Sequence, residues 1–543
     1  MQAKGFGRRA AHLGDFQLGP RVLLITAVAL LVGGASAVAA FALLRVIGLV
    51  TNLVFYQRFG TALVAPGATH HPWWLVLGAP VVGGLAVGLL ARYGSEKIRG
   101  HGMPEAIEAI LTGGSRIAPR VAVLKPVSTA ISIGTGGPFG AEGPIIMTGG
   151  AVGSILAQTL RLSADERKTL LVAGAAGGMA ATFNAPVASI LLAVELLLFE
   201  WRPRSLIPVA CAVVVSTVCR GFLLGTAPVF GLPHMAAPGA LAVGLALLPG
   251  LTGGLLAVVA TGLVYKAEDG FARLPVHWMW WPAIGGLIIG AGGLIEPRAL
   301  GVGYDVIDEL LTGRATLSLI VGILVVKTLI WSVSLGSGTS GGVLAPVFMI
   351  GAALGAVEGH LLPPAAPGFW AMCGLAAVVG GVMRSPLTGI VFTCELTQAW
   401  NDLLPLVVAS ASAYALSVLL LKRSVLTEKI ARRRLHLTRE YTTDPLEAFF
   451  AEEVMTNDPP PSGCATLSKA LAYPDDTLRE VANKFAAADV TSACVVDRAD
   501  PTRVLGVITL AQLLHARRRD LHEEHHRERL LVTRTREPTE VLS

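Results

Sequence analysis

The chain alternates long apolar stretches with short polar breaks. Apolar runs fall at roughly 22–55, 73–92, 145–161, 168–199, 206–224, 240–265, 277–295, 316–335, 345–362, 367–381 and 386–421. These predict membrane helices, although several fall short of the ~20 residues that span a bilayer. Many carry Gly or Pro, and short, broken, tilted helices suit a transporter or channel core. After about Ala431 the pattern changes. Residues 432–463 are charged and then Pro-rich, as in a linker, and 464–543 have a soluble composition. Within the latter, 473–518 predicts helix, strand (SACVVD), turn, strand (VLGVIT) and helix. The charged end, from His522, predicts a solvated helix that frays.

One broken stretch stands out. Gly134–Gly153 (GTGGPFGAEGPIIMTGGAVG) holds a lone acid, Glu142, between apolar flanks. A charge at membrane depth costs from ~3 to over 10 kcal/mol unless it faces a partner or a water-filled path. Glycine-broken backbone is tolerated there only where it lines a cavity. The stretch has a twin, Gly336–Gly355, with identities that include Gly140/Gly342, Pro144/Pro346 and Met147/Met349. Three further segments repeat at nearly the same offset. They pair Gly100 and Gly102 with Gly301 and Gly303, Lys125 with Lys327, and Pro186 and Glu195 with Pro386 and Glu395. The chain is an internal duplication. Duplicated transporter halves are commonly inverted, with the substrate site where they meet. For Glu195 and Glu395, at equivalent places, a helix-end or packing role is expected.

Composition agrees with a polytopic membrane protein. Charged residues make up 15% of the 543 positions and hydrophobic residues 53%, whereas soluble domains carry about 25% charged residues. The net charge of +6 is a topology signal rather than a nucleic-acid one. Lys4, Arg8, Arg9 and Arg21 precede the first apolar run, and Lys422, Arg423, Lys429, Arg432, Arg433 and Arg434 follow the last. Both ends are therefore expected in the cytoplasm, with an even number of crossings. The first run is too long for a signal peptide and should remain as a helix. The six cysteines show no CxxC and no metal-ligand spacing, and no disulfide is expected. No catalytic set, metal site or cofactor motif is assigned.

The candidate chemistry lies in three glycine-rich turns that open helices: GHGMP (100–104), GAEGP (140–144) and GGVLAP (341–346). Such turns present free N–H groups and the positive end of a helix dipole, an anion site without a basic side chain. Three converging starts would hold a small monovalent anion loosely, as conduction requires. The alternatives are glycines that serve only helix packing and a Glu142 neutralised by Lys125. Readings from other classes are an intramembrane hydrolase using a serine of SLGSGTSGG (334–342) with Lys327 as base, and a structural scaffold with a sensor tail.

The motifs resemble those of the CLC chloride channels and chloride/proton exchangers. GHGMP stands for the family's GSGIP, GAEGP for G(K/R)EGP and GGVLAP for GGIFAP, and FNAPVASILLAVE matches the FNAP segment. The resemblance covers roughly 20–435. It implies an all-α polytopic fold, an inverted repeat of short tilted helices, and a homodimer with one pore per subunit. Boundaries are then 1–21 for a basic lead-in and 22–435 for the transport domain, with repeats at about 22–225 and 240–435. A linker at 436–463 and a small α/β CBS-like cytoplasmic domain at 464–543 follow. The resemblance also makes Glu142 the gate and places anion-binding groups at His101, Gly102, Met103, Gly143, Val343, Leu344 and Leu426. The expected setting is the cytoplasmic membrane of a bacterium.

Departures from the family pattern carry as much information. The serine of the first motif is His101, and the basic residue before the gate is Ala141. The exchangers' second, intracellular proton-relaying glutamate is Leu196, and the inner-gate tyrosine is Leu426. Tight proton coupling is therefore not expected; the alternative is an antiporter with another relay, for which His101 is the candidate. In the CBS-like tail the adenosine-binding Thr and Asp are Thr509 and Gln512. This argues against a nucleotide and for a dimer-stabilising module.

Overall fold

A computed structural model describes residues 19–232, 237–433, 435, 446, 449–456 and 470–525. The lead-in up to residue 18, most of the predicted linker and the tail after His525 lie outside the described residues. The chain divides into two compact units, one of Phe16–Arg439 and one that includes Glu440–Ser543.

The larger unit is helical and is built twice. Its first half runs α1 (Arg21–Tyr56), α2 (Trp73–Tyr93), α3 (Met103–Leu111), α4 (Pro119–Gly134), α5 (Glu142–Thr159), α6 (Ala164–Phe183), α7 (Pro186–Ala193) and α8 (Pro203–Leu223). The second half repeats the order with α9 (Leu247–Ala272), α10 (Trp281–Ile295), α11 (Tyr304–Leu311), α12 (Leu317–Gly336), α13 (Leu344–Gly359), α14 (Phe369–Met383), α15 (Pro386–Thr397) and α16 (Leu403–Leu420). A last helix, α17 (Val425–Arg432), follows. Among the described residues, seven helices are long and apolar enough to cross a membrane.

Two predicted spans are not single helices. The run 168–199 breaks at Asn184, which is left-handed at φ 55°, and restarts at Pro186. A π-helical turn, Val194–Leu198, then ends at the left-handed Phe199. Its twin breaks at Arg384 (φ 54°), restarts at Pro386 and ends at Gln398 (φ 60°), which splits the run 386–421. Proline at the first helical position needs no N–H, and it restrains the residue before it from helical conformation. A hydropathy average passes over these breaks, because the single polar residues that mark them, Asn184, Arg384 and Gln398, are outweighed by long apolar flanks.

The halves are related by a local two-fold axis, visible in how equivalent residues exchange partners. Gly140 N–H donates to the Gly342 carbonyl at 3.2 Å, and Gly342 N–H returns a bond to the Gly140 carbonyl at 2.7 Å. Gly100 N–H donates to Gly338 at 3.3 Å, and the twin bond runs from Gly301 to Gly136 at 3.1 Å. Glu195 accepts from the N–H and hydroxyl of Thr388 (2.9 and 2.6 Å) at the start of α15. Glu395 accepts from the N–H groups of Val187 and Ala188 (3.0 and 2.8 Å) at the start of α7. Each glutamate thus caps a helix of the opposite half, where a carboxylate meets the positive end of the dipole. These are the contacts of an inverted repeat.

The buried lysines are part of the same scheme. Lys125 Nζ donates to the carbonyls of Ile98 and Gly100 (2.8 and 2.6 Å), and Lys327 Nζ to those of Ala299 and Gly301 (2.8 and 2.7 Å). Each pins the turn that precedes α3 or α11. We expect Lys125→Met to leave two buried carbonyls unpaired and to cost about 3 kcal/mol. A fall in melting temperature in detergent checks this, and Lys327→Met should behave alike.

The smaller unit carries a three-stranded sheet of order β1-β2-β3: β1 (Leu471–Ala472), β2 (Ser492–Val496) and β3 (Val504–Thr509). β1 pairs parallel to β2, and β3 antiparallel to it. Helices α18 (Leu478–Ala488) and α19 (Leu510–His525) flank the strands, in the predicted order. Contrary to the expectation of unpaired thiols, Cys494 on β2 is disulfide-bonded. Spacing alone does not show that pairing, because it depends on which strands the fold brings together. Gln512 Oε1 accepts from both the N–H and the hydroxyl of Thr509 (2.7 and 3.0 Å), so this glutamine caps the start of α19.

Candidate anion site

The site forms where the starts of α5 and α13 meet. The paired glycines 140 and 342 bring the two halves into contact directly beside the Glu142 side chain. A Cβ on Gly140 would lie 1.9 Å from Glu142 Oε2, and one on Gly342 would lie 2.4 Å from it. Glycine is required at both positions because no methyl group fits between backbone and carboxylate. The start of α3 closes the assembly from a third side. A Cβ on Gly143 would lie 1.7 Å from the His101 carbonyl oxygen, and Gly102 holds φ 88°, which favours glycine.

Glu142 is 0% exposed. Its Oε1 accepts from the N–H of Ala345 at 3.1 Å, in the first turn of α13. Its Oε2 is buried with no hydrogen-bond partner among the described residues. No ion pair to Glu142 occurs among the described residues, and both buried lysines are committed to carbonyls. The alternative of a Glu142–Lys125 pair is therefore contradicted. A carboxylate here sits on a helix start as a small anion would, held by backbone dipoles.

The other named residues occupy distinct places. Val343 and Leu344 lead into the first turn of α13 and are buried beside Glu142. The amide that holds the carboxylate belongs to the next residue, Ala345, which the motif did not single out. The Gly102 amide is not open to an anion, because it donates to Glu105 Oε2 at 2.9 Å. Glu105 Oε1 in turn takes a bond from Arg433 at 2.7 Å. The sequence signal for this was present, since a glutamate at the third helical position can reach back to the N–H of the N-cap residue, here a glycine, as in one half of a capping box. His101 is buried, and its Nδ1 is unpartnered among the described residues. Leu426, at the start of α17, and Leu196, in the π turn, are both buried. Beneath α3 and α17 lies a charged cavity of about 430 Å³, lined by Arg99, Glu105, Lys429 and Arg433 among others.

The serines considered for nucleophilic chemistry are engaged elsewhere. Ser334 donates to the Ile330 carbonyl, Ser337 to that of Ser334, and Ser340 meets Ser128 and Thr129 at 3.0 and 2.9 Å. Lys327 donates to backbone carbonyls rather than to any of them. The hydrolase reading therefore fails on geometry.

Comparison with known proteins agrees with the fold. Residues 83–418 match the family model of the voltage gated chloride channel, and 451–519 match the CBS domain. A putative chloride channel protein, ClcB-like, of Ralstonia nicotianae is 31% identical over 373 residues, 67% of this chain and 87% of that protein. The H(+)/Cl(-) exchange transporter ClcA of Vibrio vulnificus is 34% identical over 367 residues, 63% of this chain and 76% of that protein. Among solved structures, a slow cyanobacterial Cl-/H+ antiporter superposes with a TM-score of 0.65 at 23% identity, over 77% of this chain and 99% of that one. The chain belongs to the voltage gated chloride channel family, the CLC proteins, and carries a CBS domain at its C-terminal end.

Proposed function

We propose that the chain passes chloride, or another small monovalent anion, through the membrane unit with Glu142 as the gate and without tight coupling to protons. The observation that carries this is the Glu142 carboxylate resting on the Ala345 amide at a helix start, with no counter-ion among the described residues. An incoming anion or a proton displaces it, and the path opens. The relatives named as chloride channels and chloride exchangers support the choice of ion. Leu196 and Leu426 offer no titratable or hydroxyl group on the inner side, which favours a channel over an exchanger.

The second reading, an exchanger with a displaced relay, is favoured by one observation. The His101 imidazole, whose Nδ1 has no partner among the described residues, belongs to the turn whose carbonyl packs against Gly143, next to Glu142. Family resemblance further supports a homodimer with a pore in each subunit and both termini in the cytoplasm. For the CBS domain, the Thr509–Gln512 cap supports a stabilising role rather than nucleotide binding. The direct test is chloride efflux from liposomes carrying the purified protein. Efflux well above that of protein-free liposomes is expected; efflux equal to theirs would remove the anion reading altogether.

A further inference from the structure

The membrane unit holds a second polar group without a partner close to the gate. Tyr304 opens α11, directly after the N-cap glycine Gly303 (φ 82°). Its hydroxyl is buried and has no hydrogen-bond partner among the described residues. Burying a hydroxyl without a bond is destabilising, so its retention calls for a partner in some other state of the molecule. The ring does not require it. It packs edge-on against Phe183 (6.3 Å between centroids) and Phe230 (5.8 Å), and phenylalanine would do the same.

The two-fold relation fixes where this residue stands. Tyr304 is the twin of Met103. At the start of α3, a Cβ on Gly102 would meet Met147 of α5 at 3.0 Å, and at the start of α11 a Cβ on Gly303 would meet the equivalent Met349 of α13 at 2.7 Å. So α11 begins against α13 as α3 begins against α5. Ala345, whose amide holds the gate carboxylate, is the twin of Gly143, which touches the turn before α3. Tyr304 therefore stands across the start of α13 from the anion path. Phe183 bridges it to Phe348 of that helix (6.0 Å). Glu142 is the charged side chain whose field acts on the Tyr304 hydroxyl. Two buried polar atoms, Glu142 Oε2 and the Tyr304 hydroxyl, are thus both unsatisfied in one apolar core.

We propose that Tyr304 is a positioning residue for the gate, its hydroxyl donating a hydrogen bond to the Glu142 carboxylate once an anion has displaced that carboxylate from the Ala345 amide. This rests on the reading of Glu142 as gate. The displaced carboxylate leaves one backbone donor and would otherwise enter an aromatic wall. A phenol in that wall replaces the lost bond and raises the population of the open path. In the closed state the same hydroxyl waits unpaired, which lowers the energy gap between the two states from both sides.

The test is a double-mutant cycle read by chloride efflux from liposomes at a fixed pH near neutrality. Tyr304→Phe in the otherwise unaltered chain should lower efflux by roughly ten- to a hundredfold, the size of one hydrogen bond to a charged group. In a Glu142→Gln background, where no carboxylate needs holding, the same substitution should change efflux by less than about twofold. Equal loss in both backgrounds would mean that the hydroxyl serves packing, and no loss in the unaltered background would mean that it serves no purpose at the gate; either overturns the proposal. If Tyr304→Phe impairs assembly, Tyr304→Met, carrying the residue of the twin position 103, is put through the same cycle. Failure of the gate reading is seen separately, in Glu142→Gln alone.

Discussion

Replacing Glu142 by Gln is expected to abolish most of the pH dependence of anion flux. On the proposed reading the charged carboxylate, which accepts from the Ala345 amide at 3.1 Å, competes with the anion for the start of α13. Protonation removes the charge and with it most of the attraction to the helix dipole. Flux should therefore rise as pH falls. Between about pH 7.5 and 4.5 an increase on the order of tenfold or more is expected for a single titrating gate. Glutamine keeps the shape, cannot ionise and holds the amide only as a neutral acceptor. Its flux should already be high at neutral pH and should change by less than about twofold over the same range. Chloride efflux at a series of matched internal and external pH values provides the measurement. A variant that keeps the full pH dependence would mean that another group controls opening, and Glu142 would lose its role.

The second large effect concerns protons. With a chloride gradient across the liposome and a pH indicator inside, chloride is expected to run down with little or no uphill proton movement. The reversal potential should lie close to the chloride Nernst value. Coupling at a fixed ratio requires a proton path from the cytoplasm to Glu142, and apolar surroundings conduct no protons without titratable side chains or ordered water. Leu196 is buried within the π turn and Leu426 at the start of α17, so neither offers such a group. The nearby acid, Glu105, is tied to Arg433 and to the Gly102 amide. His101 is the remaining candidate. Uphill proton pumping at a fixed ratio, abolished by His101→Ala, would replace the channel by an exchanger whose relay has moved to the turn before α3.

Much of this molecule was legible before folding. The offset identities Gly140/Gly342, Lys125/Lys327 and Glu195/Glu395 disclosed the duplication, because each pair meets the same local requirement twice. Glu142 was legible because a lone acid between glycines in an apolar run has few affordable fates other than a polar path. The strand and helix order of the CBS domain followed from alternation and turn residues.

The rest is a matter of what lies opposite. That Lys125 holds the turn before α3 instead of neutralising Glu142, that Glu195 caps a helix two hundred positions away, and that Ala345 supplies the gate's amide are facts about approach in space. So is the loss of the Gly102 amide to Glu105 as an anion ligand. The sequence by itself determined the membrane class, the doubled architecture and the family, and it singled out Glu142, since these rest on residue type and local spacing. The tertiary structure alone decided the two-fold exchange of partners, the division of two apolar runs into separate helices, and which donor each buried charge meets. The physical reason is that hydrogen bonds and helix dipoles act over a few ångströms, and those distances are set by how the two halves pack against each other.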